Sequence, residues 1–391
     1  MKRIFICSDA RYPRGDAGAN YVHYFALSLK ENGWDVYVFG IGNNREEDYD
    51  KEAAAYSYRG IRYVNVALSE RIRLPFVKYN FVFPWRLKGE LYKFGICKDD
   101  YAVIYSAKLF LIRNVTSLFA KDRIAICWVE WMQSYQYKGG KLALGYYLYR
   151  RAFKSVGARV KKCFPISSVL DIQFCKQGAR TLRLPIMADP YEYSYNSEKQ
   201  MDEVIQFIYP GMKLTGYEDN HIAILEGFGL LESYELERVK IHITGTSMQS
   251  MQTMLEPKLF KKIKPVLIMH GFMDYKDLVE LYKAMDYLLL VRKINAVTRA
   301  NFPSKVPEVM SFGVIPICTD VGDYTKDYLN DENAIILHET GAEEFCTGIR
   351  KTLNMSENEY RNRRKAARQL VEKKFSYKNW GKSISRFLLE N

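Results

Sequence analysis

Between Arg292 and Ile317 the chain reads RKINAVTRANFPSKVPEVMSFGVIPI, and four cations, Arg292, Lys293, Arg299 and Lys305, gather around a predicted helix start at Pro303–Ser304. A helix amino terminus offers unpaired N–H donors and a partial positive charge. With the Ser304 hydroxyl and the Lys305 ammonium it makes a cradle for a diphosphate. Glu308 falls one turn inside that helix, where its carboxylate can accept hydrogen bonds from ribose hydroxyls. Gly313 ends the helix and Val314–Cys318 returns to a sheet. Taken singly, Ser304 reads as well as a plain N-cap, Glu308 as a solvated helix residue and the cations as a surface patch. Their concentration beyond a strand is what favours nucleotide chemistry.

Open parallel sheets bind ligands outside the carboxyl ends of their strands, and the loops there supply the other candidates. Gly211 and Lys213 follow one predicted strand and Gly245 another; His270 and Phe272, after a third, are placed to border a nucleotide base. A core aromatic is the competing reading of Phe272. Near the amino terminus Gly15, Gly18, Ala19 and Asn20 lack large side chains, so backbone there can approach a phosphate or sugar, although a plain turn has the same composition. Glu130 follows the strand Ile124–Val129 and is a candidate for contact with an acceptor hydroxyl or a donor sugar, acting as a base. The alternative is a structural glutamate bonding backbone N–H groups between Trp128 and Trp131. Neither HExxH nor CxxC occurs, and no metal ion or cofactor is expected.

Such residues require a scaffold that the hydrophobic pattern describes. Ile4–Cys7 is a buried-type strand, Ser8–Asn20 a polar loop, and Val22, Phe25, Ala26 and Leu29 one face of a helix that Gly33 ends before the strand Val36–Phe39. That is the opening of a doubly wound α/β domain. More strands are expected at Ile61–Val66, Val103–Tyr105, Ile124–Val129, Cys163–Ile166 and Thr181–Leu184. After a polar linker near Asp189–Asp202 the series restarts at Ile205–Tyr209, with Asp219 placed to cap a helix whose inward face is Ile222, Leu225, Phe228 and Leu231. Ile241–Thr244, Val266–Met269, Leu288–Val291 and Ile315–Cys318 follow. Two βα series in 391 residues predict two Rossmann-like domains.

The net charge of +13 is one-sided: residues 1–195 hold 31 Lys and Arg against 18 Asp and Glu, while residues 196–391 hold 27 of each. A basic first half suggests an anionic partner, such as a membrane surface or a phosphorylated acceptor. The segment Arg71–Tyr92 interleaves cations with aromatics and is the expected contact, unless those aromatics fill the domain's own core. RNP, zinc-knuckle and helix-turn-helix signatures are absent, so no nucleic acid is expected. Seven scattered cysteines, no signal peptide and no apolar run of the ~18 residues that span a bilayer point to a cytoplasmic protein, free or peripheral at the inner face of a membrane.

The stretch PSKVPEVMSFGVIP resembles the donor-binding motif of family 4 glycosyltransferases of the GT-B fold, written Pro-Ser-Lys (or Phe-Gly) leading to Glu-Ala-Met-Ala-Xaa-Gly-Xaa-Pro. Arg292, Asn295, Arg299, Phe302, Pro303, Ser304 and Lys305 match a capsule-synthesis-like branch, with Thr298 in place of a second Asn. Val129-Glu130-Trp131, Lys138-Gly139-Gly140, Ile166-Ser167-Ser168, Leu184-Pro185, Tyr209-Pro210-Gly211 and the run His270–Leu290 are similar as well. The chain departs from the pattern at Ala300, where many relatives carry a second glutamate, and at Met212 and Tyr217, where a cation pair is common; Lys213 is the nearest cation.

The resemblance implies two Rossmann-like domains facing across a cleft. An acceptor domain would span 1–192, with a helix over 373–391 packing back on it, and a donor domain 193–372. It implies transfer of a sugar from a nucleotide diphosphate donor to a saccharide or polyprenyl-linked acceptor in surface polysaccharide synthesis, with retention. Arg292, Arg299 and Lys305 would stabilise the leaving diphosphate, and Glu130 would stand at the reacting centre. A nucleotide-sugar epimerase of the same fold and an inactive sugar-binding module are the alternatives.

Overall fold

Strand β1 (Lys2–Ser8) buries every side chain from Ile4 to Ser8, the continuous pattern of a parallel strand covered on both faces. The computed structural model describes residues 2–52, 55–212, 216 and 218–390. It divides into Met1–Ala188 with Ser376–Asn391, and Asp189–Phe375. The divide falls a few residues from 192 and 372 because the linker tyrosines join the second unit. Arg368 lies over the rings of Tyr191 and Tyr195, at 5.6 and 5.3 Å, and Tyr193 packs on Phe312.

In the first unit β1 is followed by β2 (Trp34–Gly40), β3 (Tyr49–Asp50), β4 (Ala55–Tyr58), β5 (Ile61–Asn65), β6 (Tyr101–Tyr105), β7 (Ile124–Trp128), β8 (Lys162–Pro165) and β9 (Arg180–Thr181). Their order is β3-β4-β5-β2-β1-β6-β7-β8-β9, parallel from β5 to β9. The direction of winding reverses between β1 and β6, where Ser8 pairs with Tyr105. The expected strand Thr181–Leu184 is shorter: only Arg180 and Thr181 pair as a strand, and Leu182 and Leu184 add single N–H bonds to Cys163 and Pro165. The antiparallel β3 and β4 were not expected. Their tyrosine-rich sequence shows no apolar alternation, and β4 takes its register from β5.

The closing helix Gly381–Leu389 belongs to this unit. Its Ile384, Phe387 and Leu388 are buried, Trp34 donates to Ser385 at 2.9 Å, and the Lys162 ammonium donates to the Leu388 carbonyl at 2.6 Å.

The second unit holds β10 (Ile205–Tyr209), β11 (Val239–Thr244), β12 (Leu267–Gly271), β13 (Tyr287–Leu290), β14 (Ile315–Thr319) and β15 (Ile335–Leu337), in the order β12-β11-β10-β13-β14-β15, all parallel. Here the switch point lies between β10 and β13. The helix after β10, His221–Gly229, turns Ala223, Ile224, Leu225 and Phe228 inward and leaves Ile222 exposed. Ile222 is therefore not part of the inward face that the periodicity suggested.

Candidate functional site

Beyond β10 and β13 the two crossing loops form a short antiparallel bridge between Asp219 and Arg292, closed by Asn220 N to Val291 O at 2.7 Å and Lys293 N to Glu218 O at 2.8 Å. This bridge settles where the acidic residues point. Asp219 does not cap the following helix, whose N-cap is Asn220 without a side-chain bond. Its carboxylate instead accepts the Tyr209 hydroxyl at 2.6 Å, meets Arg292 Nε at 3.3 Å, and lies 3.8 Å from Lys305 Nζ. Glu218 pairs with the Arg292 Nη2 and accepts from Asn301 at 3.4 Å. Lys305 also stands 4.9 Å over the Tyr209 ring.

Arg292 is 3% exposed, its backbone N–H bonded to Thr319 Oγ1 at 3.0 Å. The guanidinium Nη1 is buried with no hydrogen-bond partner among the described residues. An unpaired buried donor on a charged group costs free energy, which an anion at this position would recover.

The helix at the cradle is shorter than its sequence pattern suggests. It spans Lys305–Met310, six residues, and Ser304 makes no capping bond, so its hydroxyl is not consumed by its own helix. So short a helix has a weak dipole, and the side-chain cations carry most of the positive potential. Arg299 is exposed and forms no ion pair among the described residues. Asn295 is spent locally: it caps Ala296–Ala300, accepting from Val297 N at 2.9 Å and Thr298 N at 3.1 Å. Thr298 is fully buried and completes that capping box, a role its hydroxyl fills at the place where the family branch has Asn. Ala300 is fully buried too.

Glu308 is half-buried near Tyr275, Tyr282 and Lys305. Burial pushes its carboxyl up from 4.5 to about 7, against a hydrogen bond from Tyr275 and the charge of Lys305, which both favour ionisation. Gly211 and Gly245 are brought together: a Cβ on Gly245 would stand 3.1 Å from the Gly211 backbone, and its φ of +85° suits glycine. His270 stacks on His242, which was not foreseen, with 2.9 Å between Nε2 of His270 and Nδ1 of His242. Burial lowers both imidazoles, His242 to about 4, so the pair is neutral and one ring donates to the other. Phe272 is exposed and is not a core aromatic. Lys213 and Tyr217 lie outside the described residues.

In the first unit the loop after β1 ends earlier than expected. Asp16 caps the helix Ala17–Lys30, accepting from Ala19 N at 2.8 Å, so Gly18, Ala19 and Asn20 form its first turn and Ala19 is buried. Only Gly15 of the four candidates lines a cavity of about 740 Å³, with Arg11, Arg14, Asn43, Arg45 and Tyr79 among its walls. Glu130 stands exposed past β7, and its charge acts on Tyr105, Tyr137 and Tyr149. Its main-chain carbonyl accepts Trp128 Nε1 at 2.8 Å and the Tyr149 hydroxyl at 3.3 Å, which pins the backbone behind the carboxylate. The Asp-x-Asp triplet Asp48-Tyr49-Asp50 is engaged by other groups of the first unit. Asp48 accepts from Tyr63 at 2.8 Å and pairs with Arg14 at 3.5 Å, and Asp50 accepts from Glu52 N at 3.0 Å.

Residues 212–370 match the family described as glycosyl transferases group 1. The chain has the GT-B fold of glycosyltransferases, and the family match lies within its second unit. None of the curated proteins compared matches it in sequence. Solved structures match over its whole length. Sucrose-phosphate synthase from Thermosynechococcus elongatus superimposes with a TM-score of 0.73 at 12% identity, covering 99% of this chain and 98% of that one. WaaG, a glycosyltransferase involved in lipopolysaccharide biosynthesis, gives 0.70 at 13%, covering 99% and 100%. Anabaena HepE in complex with UDP gives 0.66 at 12%, covering 99% of each. At such identities the likeness concerns the fold. The matched family segment contains Asp219, Arg292, Arg299, Lys305 and Glu308.

Proposed function

We propose that the transferase binds a nucleotide diphosphate sugar on its second unit and passes the sugar, with retention and without an essential metal ion, to a saccharide or polyprenyl-linked acceptor in surface polysaccharide synthesis. The observation that carries this reading is the buried Arg292, whose unpartnered Nη1 stands at the switch point beside Lys305. HepE, of the same fold, holds UDP. Arg292, Lys305 and Arg299 would meet the negative charge that builds on the departing diphosphate, where a fixed cation lowers the barrier most. Glu308 would take the ribose hydroxyls, Gly211 and Gly245 would leave room for the donor, and His270 and Phe272 would border the base. Glu130 would contact the reacting hydroxyl or sugar.

The basic first half supports a site of action in the cytoplasm at the inner face of an anionic membrane, where lipid-linked acceptors lie. A panel of nucleotide sugars screened by thermal shift, followed by turnover of the best binder with saccharide acceptors, tests the reading. Stabilisation by one nucleotide sugar and release of its nucleotide diphosphate on adding acceptor is the expected result. Donor epimerised without acceptor would replace transfer by epimerisation, and stabilisation without turnover of any kind would leave a binding module.

A further inference from the structure

The segment Arg71–Tyr92 divides its aromatics between two faces. In the helix Phe83–Lys93, Phe83, Leu87 and Leu91 are fully buried and fill the unit's core. The opposite face carries Trp85, Lys88 and Tyr92, with Trp85 70% exposed, and Phe81 is exposed in the helical turn just before the helix. A second stripe of the same kind comes from the helix Leu144–Arg159. Leu144, Tyr147, Arg151 and Lys154 follow one another at helical spacing and all are exposed. Just before it, Gly139 and Gly140 both take positive φ, +98° and +58°, and turn Leu142 outward until it is 94% exposed.

The two segments adjoin, since a methyl group added at Gly145 would lie 3.7 Å from the Phe76 ring. The charge within the two runs is mostly positive, with Glu90 near the end of the first helix paired to Lys93. No Asp or Glu occurs between Glu130 and Asp171, a stretch with eight Lys and Arg, nor between Glu70 and Glu90, which holds five.

We propose that this face of the first unit is a docking surface for an anionic lipid bilayer, with Leu142, Leu144 and Trp85 entering the headgroup layer and Arg151, Lys154 and Lys88 pairing with lipid phosphates. Exposed aliphatic side chains amid cations suit acyl chains beneath phosphates. They do not suit nucleic acid, whose bases call for aromatic platforms. Among the described residues no helix is long and apolar enough to cross a membrane, so the contact is one of surface insertion. The inference rests on the proposed acceptor being presented at a membrane, and it adds the loop at Leu142 and the second helix as the elements that meet it.

Co-sedimentation of the full chain with phosphatidylcholine vesicles, with and without phosphatidylglycerol, tests it. Binding should require the anionic lipid and fall as salt rises. It should drop about fivefold for each cation removed, so that Arg151→Gln with Lys154→Gln loses more than tenfold. Leu142→Asp with Leu144→Asp should abolish insertion, read as lost quenching of Trp85 fluorescence by bromolipid. Affinity for a nucleotide diphosphate, measured on each variant, should stay unchanged. Equal binding to both vesicles, no binding to either, variants that bind like the parent, or retention by an oligonucleotide alone would each overturn the docking surface. Nucleotide binding and turnover with a soluble acceptor would then leave the transferase reading standing; their loss in the parent would remove that reading as well.

Discussion

Replacing Glu308 by Gln separates the cost of a charge from its use. The carboxyl is shifted from 4.5 to about 7 chiefly by burial, a gap worth about 3 kcal/mol at 1.4 kcal/mol per unit. Below pH 4.5 the group is protonated in the folded and the unfolded chain alike, and its full contribution to stability is present. As pH rises through about 7 the unfolded chain ionises first, and the folded state loses stability until its own carboxyl has ionised. The neutral amide of the Glu308→Gln variant would carry no such penalty. Because Glu308 retains some contact with solvent, the variant should gain about 1–3 kcal/mol over the parent between pH 5 and pH 8, or about 2–4 °C per kcal/mol in a unit of this size. Nucleotide affinity should move the opposite way. The ionised carboxylate accepts two ribose hydroxyls and an amide oxygen accepts with only one atom, so the variant should bind a nucleotide diphosphate more weakly, most clearly above pH 7. Denaturation and calorimetry on parent and variant at both pH values measure the two effects, and taking the difference cancels the titration of the ligand. A variant with the same relative stability at both pH values would refute the burial argument, and one with parental affinity at pH 8 would place the ribose elsewhere.

Lys305→Ala and Arg299→Ala should each weaken nucleotide diphosphate binding by about 1.5–3 kcal/mol, as removal of a charge-assisted hydrogen bond does; unchanged calorimetric affinity in both would remove the diphosphate assignment. Asp219→Asn removes a charge shared by Tyr209, Arg292 and Lys305, and with Glu218 still paired to Arg292 the expected loss of stability is about 2 kcal/mol, read from the thermal midpoint. Asp286→Asn should cost about 3 kcal/mol in urea denaturation and leave nucleotide affinity untouched. That carboxylate is fully buried and accepts from Lys199, Tyr360 and the Gln206 N–H at the amino end of β13, away from the loops that bind.

The resemblance in PSKVPEVMSFGVIP picked out the segment proposed to bind the donor before any strand order was known, because the motif lies within one strand-loop-helix unit and its spacing is local. The same local signal misjudged neighbours whose partners are far away in sequence. Asn295 looked like a ligand residue but satisfies its own helix start, a competition between side-chain and backbone bonding that only the backbone angles resolve. Gly18, Ala19 and Asn20 read as a loop because small residues leave no periodic mark, yet the Asp16 cap places them in a helix.

Sequence by itself determined the two βα series, the first-half charge excess and the cations at Arg292, Arg299 and Lys305, since apolar period and composition are properties of short stretches. Tertiary structure alone decided which groups meet those cations. Asp219 precedes a helix as a cap should, but adjacency of β10 and β13, brought together across nearly 80 residues, turns it onto Arg292 and Lys305. The His242–His270 pair depends in the same way on β11 lying beside β12. Likewise the second outward stripe gains its meaning only where Gly145 abuts Phe76. Strand order is set by the burial of all faces at once, and a pattern read a few residues at a time does not contain it.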